Sequence, residues 1–348
     1  MGIKVEAAVE QDIPALVELI CAQEARWHQI DARLRPARRA DEVEGMLALQ
    51  WEEFAAAPLV ARTAGGRVRG YALPTLREFS YELVADAQAL EVFEPRTGFV
   101  ESLTFPAPDE ADAVLVASAL LEAVQRWWQE QGAQAEMCHW PARDTCLDER
   151  WRAAGLEAFL QRSVRVARPL PPSRRLAPAG ARARLAVPAD EETLAAIYLE
   201  ESIYHHEQSP FFRRSPLQEA AFRAWIAPAW LGKPVEEGGP LIVVVERAGE
   251  VVALAVNELF SVEDGSHRDY LPQGRYIDIA EVGVRADLRG QGIGRVLVQG
   301  VFDVCARWQP DSYVLGFSTH NPLSSGFWPH LGFQPSLTFY QRKVAARA

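Results

Sequence analysis

Apolar and polar positions along this chain follow two periods, and their order occurs twice. Residues 3–8 read as a short strand, and residues 12–20 follow as a helix, with Pro14 suited to its first turn. Residues 183–187 and 188–197 repeat that order. Each copy continues with two strands around a turn, over 59–73 with Gly65 and Gly66 and over 241–256 with Gly249. Each then has one strongly apolar helix, over 114–128 and 294–308. Near the ends, Gly155-Leu156 and Gly332-Phe333 each follow a tryptophan, Trp151 or Trp328, by four residues. That pair and the pair Asp144 and Asn321 share an offset of 177 residues (332 − 155 and 321 − 144). A long-period duplication accounts for features recurring in this order.

Between the copies lies a stretch with Pro169, Pro171, Pro172 and Pro178, whose missing donors and fixed φ interrupt regular structure. The expected organisation is a first domain over 1–168, a linker over 169–180 and a second domain over 181–348, in a chain whose 348 residues suit two domains. The net charge of −11 gives no basic face for nucleic acid. Four cysteines without C-x-x-C spacing give no disulfide framework and no zinc site, and no metal is expected. The N-terminal residues lack the charge and apolar pattern of a signal peptide, and no apolar run is long enough to span a membrane. The expectation is a cytoplasmic protein that binds neither nucleic acid nor membrane; homodimerisation is left open.

The chemistry concentrates after residue 276. Residues 276–284 form an apolar, β-branched strand, and a turn leads to Arg289-Gly290-Gln291-Gly292-Ile293-Gly294 and the helix beyond. Glycines between a strand and a helix let the orphan N–H groups of the helix N-terminus close on phosphate oxygens. The spacing is neither the dinucleotide fingerprint, since Arg295 stands at its third glycine, nor a Walker loop.

The hexad, the Glu-Val-Gly-Val strand before it, Asn321 and the closing Gly332-Phe333 together resemble the GNAT (GCN5-related) acetyltransferases, specifically over 241–343 and more weakly over 181–240. The resemblance implies an α/β fold of α+β type: two tandem GNAT-like domains, each a mostly antiparallel twisted sheet flanked by helices, with a splayed central parallel pair. It implies acetyl-CoA as co-substrate. Val282, Gly283 and Val284 would pair with the pantetheine arm, and Arg289, Gly290, Gln291, Gly292, Ile293, Gly294 and Arg295 would hold the pyrophosphate. Asn321 and Phe327 would complete the cofactor wall.

An amine must lose a proton before it attacks a thioester, and Asp278 and Glu281 are the candidate bases. Alternation puts Glu281 on the face opposite Val282 and Val284 unless a bulge intervenes. The family's usual acid is a tyrosine where this chain has Trp328, which leaves Tyr340, His320, Ser324 or unassisted departure of the thiolate. Tyr204 and Glu207, in a run with His205 and His206, are expected to wall the substrate pocket. In the first half, Phe105 corresponds to Val284, and Glu110, Ala113 and Leu115 stand where Arg289, Gly292 and Gly294 do; Asp109, Glu110 and Asp112 would repel phosphates, so no cofactor is expected there. The reading is an N-acetyltransferase acting on a small-molecule amine by direct attack in a ternary complex. The alternatives are a protein lysine or N-terminal acetyltransferase and a non-catalytic acetyl-CoA-binding module.

Overall fold

Strands buried on both faces lose the alternation of a half-exposed strand. Residues 241–245, Leu-Ile-Val-Val-Val, are an example: Val243 and Val245 pack into one apolar cluster, and Ile242 and Val244 into another on the opposite face. In the computed structural model, which describes residues 2–53, 58–172, 178–263 and 270–344, all strands join one twelve-stranded sheet with helices packed against it. Residues 173–177 of the expected linker lie outside the described residues.

The first half runs β1 (Ile3–Ala7), α1 (Ile13–Ile30), α2 (Ala40–Glu53), β2 (Leu59–Thr63), β3 (Val68–Glu78), α3 (Ala89–Val92), β4 (Arg96–Thr104), α4 (Ala113–Glu130), β5 (Ala135–Pro141), α5 (Asp148–Ala153) and β6 (Glu157–Val166). The second runs β7 (Arg182–Leu185), α6 (Glu191–Gln208), α7 (Gln218–Trp230), β8 (Leu241–Arg247), β9 (Glu250–Val262), β10 (Gly274–Val284), α8 (Ile293–Cys305), β11 (Ser312–Ser318), α9 (Pro322–His330) and β12 (Gln334–Lys343). The repeat is physical. Among the described residues, the one parallel pairing in each half is three residues long, Thr97–Phe99 with Ala135–Met137 and Tyr276–Asp278 with Ser312–Val314. The turn between β8 and β9 uses two positive φ values, 53° at Ala248 and 83° at Gly249, as a tight hairpin requires. Asp144 and Asn321 each accept a backbone N–H two residues on, opening equivalent helical turns.

The strand order is β1-β2-β3-β4-β5-β12-β6-β11-β10-β9-β8-β7. The two last strands are exchanged. β6 leaves its own half to pair with β11, while β12 leaves its half to pair with β5, and the two pair with each other between them. The halves of the sequence are therefore not the halves in space. No sheet edge is left open at the centre, and strands of the first half stand beside the chemistry of the second. Among the described residues, no helix is long and apolar enough to cross a membrane.

Candidate active site

The loop between β10 and α8 is built on two left-handed glycines, Gly290 (φ 74°) and Gly292 (φ 89°), conformations that cost a residue with a side chain about 1–2 kcal/mol. Gly292 is the N-cap of α8, so the orphan N–H groups of the first turn open onto the loop. Ile293, Leu297, Val298 and Val301 are buried and hold the helix to the sheet. Glycine at 294 admits the ring of Phe327 from α9; a Cβ there would lie 3.3 Å from Phe327 Cζ.

Arg289 clips this loop to its surroundings. Its Nε donates to the Val284 carbonyl at 3.0 Å, its Nη2 to Glu201 on α6 at 2.8 Å, and its guanidinium lies 4.5 Å from the centre of the Tyr204 ring. Arg295 donates to the carbonyl of Pro171 in the linker. Beyond their three paired residues β10 and β11 diverge, and a cavity of about 350 Å³ runs from the loop along β10 to α9. Val282, Val284, Arg289, Gly290, Gly292, Ile293, Gly294, Arg295, Asn321 and Phe327 line it. Asn321 is buried and caps α9, its Oδ1 accepting the N–H groups of Leu323 (3.0 Å) and Ser324 (3.2 Å). Gly283 and Gln291 do not line it. Gly283 instead lets α6 approach, since a Cβ would lie 2.8 Å from Ile197 Cγ2. The Gln291 side chain turns outward to the Asp287 carbonyl and Arg247.

A second cavity, of about 580 Å³, adjoins the first and shares His205, Ala280, Glu281, Gly316 and Phe317 with it. A β-bulge makes this junction: Ile279 pairs with Asn257 and Glu281 with the next residue back, Val256, leaving Ala280 extra. Asp278 and Glu281, three apart, thereby both reach the second cavity. Burial, reinforced by the charges of Glu91 and Glu201, pushes the Glu281 carboxyl up to about 8. His205, 3.3 Å from Glu201, is pulled down by burial, but the surrounding carboxylates outweigh this and raise it. Asp278 is held by a bidentate ion pair with Arg162 of β6, at 3.0 and 2.5 Å. Both oxygens of Asp278 are engaged in this way, and Glu281 is the better placed of the two candidate bases.

Three expectations require correction. Tyr340 lies on the exchanged strand β12, bonded to Asp148 and packed on Trp151 in the first half, and lines neither cavity. Glu207 is exposed and lines neither cavity: helix geometry turns Glu201 and His205, four residues apart, toward β10 and leaves Glu207 outside. Tyr204 supports Arg289 and likewise lines neither cavity. Of the other acid candidates, Ser324 lines the first cavity, whereas His320 lines neither and packs against Phe211. Trp328 is buried among Phe327 and Phe333. The second cavity also takes Gln88, Glu91, Val92, Leu160 and Arg162 from the first half, which no local pattern announces because strand exchange and packing bring them there.

The equivalent cleft of the first half is filled. The Gln23 side chain donates to the Leu103 carbonyl at 2.7 Å and accepts the Phe105 N–H at 3.3 Å, satisfying the backbone that corresponds to Val282 and Val284. Trp140 stacks on Phe105 with centroids 5.5 Å apart. At the start of α4, Arg69 binds Glu110 and Asp112, each at 2.6 Å, an internal ion pair where the second half has its glycine loop.

Residues 200–333 match the model of the Acetyltransferase (GNAT) family. No curated protein matches the sequence. Among solved structures, a GCN5-related N-acetyltransferase from Sphaerobacter thermophilus aligns over 98% of this chain and 95% of its own, at 16% identity and a TM-score of 0.55. A GCN5-related glucosamine N-acetyltransferase region of a fungal multi-domain GH3 β-N-acetylglucosaminidase aligns over 98% of this chain and 38% of its own, at 14% identity and a TM-score of 0.53. A tandem GNAT protein from the clavulanic acid biosynthesis pathway aligns over the whole of both chains, at 14% identity and a TM-score of 0.48.

Proposed function

The chain carries a GNAT acetyltransferase domain over residues 200–333, and from that premise we propose that it transfers an acetyl group from acetyl-CoA to the primary amine of a small molecule. The observation that carries the proposal is the junction of the two cavities at Glu281: one leads to an anion-binding glycine loop, the other is walled by Tyr198, Phe212, Trp225, Phe317 and Phe339. An aromatic, acidic cavity between the halves suits an organic ammonium ion better than a protein surface.

Acetyl-CoA fits the first cavity on this chain's own features: left-handed glycines, the open first turn of α8, and the parting of β10 from β11 after three paired residues, which leaves Val282 to Val284 to pair with an extended arm. It supplies the activated acyl carbon as a thioester. A β10 N–H facing the gap polarises the thioester carbonyl. Glu281, with a proton affinity near that of the working pH, takes the ammonium proton. The freed nitrogen attacks the carbonyl carbon; the C–N bond forms, the C–S bond breaks, the nitrogen gives up its second proton to water, and coenzyme A departs as its thiolate. Trp328 has no acidic proton to give and the Ser324 hydroxyl donates to the Asn321 carbonyl, so the thiolate leaves unassisted and takes a proton from water. The plugged cleft of the first half leaves that half as a partner in building the acceptor cavity rather than a second cofactor site.

The test is calorimetric titration with acetyl-CoA, followed by thiol release in the presence of a panel of small amines. Binding with acetylated product supports the proposal. Binding without thiol release for any amine or lysine peptide reduces the protein to an acetyl-CoA-binding module.

A further inference from the structure

Glu91, at the third position of the short helix α3, is a carboxylate of the first half that faces the acceptor cavity of the second. Tyr198 Oη donates to its Oε2 at 3.2 Å, and Ser202, one turn along the same face of α6, lowers its proton affinity. Its main chain is held too, the carbonyl accepting the Arg213 N–H at 2.7 Å. The carboxyl group is therefore held on the cavity wall that Glu281 of β10 also lines, and burial raises its proton affinity as it raises that of Glu281. A rigid carboxylate in an apolar, aromatic cavity is costly unless a cation joins it.

We propose that Glu91 anchors the ammonium group of the acceptor beside Glu281, making the first half a determinant of acceptor specificity. This rests on the amine-acetyltransferase reading of the same site. The class of acceptor it selects is a primary amine on an aromatic or apolar body, whose ring meets Phe212, Trp225, Phe317 and Phe339. Glu91 is a positioning residue: Glu281 takes the proton, and Glu91 keeps the nitrogen within its reach. The charged groups around the pair are Glu201 and His205 on α6, Arg289 behind Glu201, and the Asp278–Arg162 ion pair on β10 and β6. Arg289 and Arg162 are each paired to a carboxylate, and His205, which Glu201, Glu281 and Glu91 raise, has its ring nitrogen on Glu201, so the acceptor's cation joins His205 in the cavity rather than duplicating an ion pair of Glu91.

Glu91→Gln and Glu281→Gln, both near-isosteric, are compared with the full-length protein using acetyl-CoA and benzylamine, phenethylamine, tyramine and tryptamine, with thiol release and product mass as readouts. For Glu91→Gln the expected result is a KM for amine raised at least roughly tenfold with acetyl-CoA affinity unchanged. The acid limb of its kcat/KM profile moves to lower pH, because a negative neighbour of Glu281 has been removed. A purely structural role would lower the melting temperature without moving that limb. An unchanged amine KM and an unmoved limb overturn the assignment of Glu91 while leaving the transferase intact. Failure of the wild type on all four amines overturns the assignment as well. Failure to bind acetyl-CoA sinks the transferase reading itself, so the two failures are told apart.

Discussion

Glu281→Gln tests the electrostatics of the site without requiring an identified acceptor. The wild-type carboxyl is raised from 4.5 to about 8, chiefly by burial and then by Glu91. A carboxyl raised in the folded state leaves stability fully present below its unfolded value, and that stability is lost as pH rises through the folded value. The full displacement corresponds to a ceiling of about 5 kcal/mol, and water reaching the cleft leaves about 2–3 kcal/mol. Glutamine keeps the neutral shape at every pH. The variant and wild type should therefore melt alike near pH 5, and the variant should gain stability progressively toward pH 9. Thermal melts at pH 5, 7 and 9 read this directly, and acetyl transfer by the variant should fall by roughly 100-fold, the size of a general-base contribution. A stability difference that stays constant from pH 5 to 9 refutes the reasoning, since it means that Glu281 ionises as an ordinary glutamate.

Three other outcomes follow from the geometry. Gly292→Glu combines a left-handed backbone with an anion at the phosphate loop and should abolish calorimetrically detectable acetyl-CoA binding while leaving the circular dichroism spectrum unchanged. Arg162→Met strands the Asp278 carboxylate and should cost about 3–5 kcal/mol in denaturant titration, whereas Arg162→Met with Asp278→Leu should recover most of the loss. Separately expressed segments 1–168 and 169–348 should each be insoluble or unfolded, because each lacks the strand that completes its sheet, and co-expression should restore a soluble pair; a monomeric, cooperatively melting 1–168 would contradict the exchanged topology.

The local chemistry of this chain was legible because it depends on near neighbours. The glycines at 290 and 292 mark the turn that opens α8, and the apolar stripe of α8 declares its buried face. The offset of 177 residues likewise reflects two chains of local signals in the same order. None of these needs a distant partner. In the first half the acids Glu110 and Asp112 were visible in place of the glycine loop, but Gln23 closing the backbone of Leu103 and Phe105 from 80 residues away was not.

What the tertiary structure decided is which strand lies beside which. A β-strand offers the same backbone donors and acceptors to any partner, so the sequences of β6 and β12 carry no mark that they change places. That exchange moved Tyr340 away from the site and brought Arg162 to Asp278, and packing across the joint set Glu91 facing Glu281. The bulge at Ala280 acted similarly, since one extra residue put two carboxylates three apart on the same cavity. The amino-acid order alone marked the glycine loop at the start of α8; the pairing of strands from two halves determined which charged side chains line the cavity beside it.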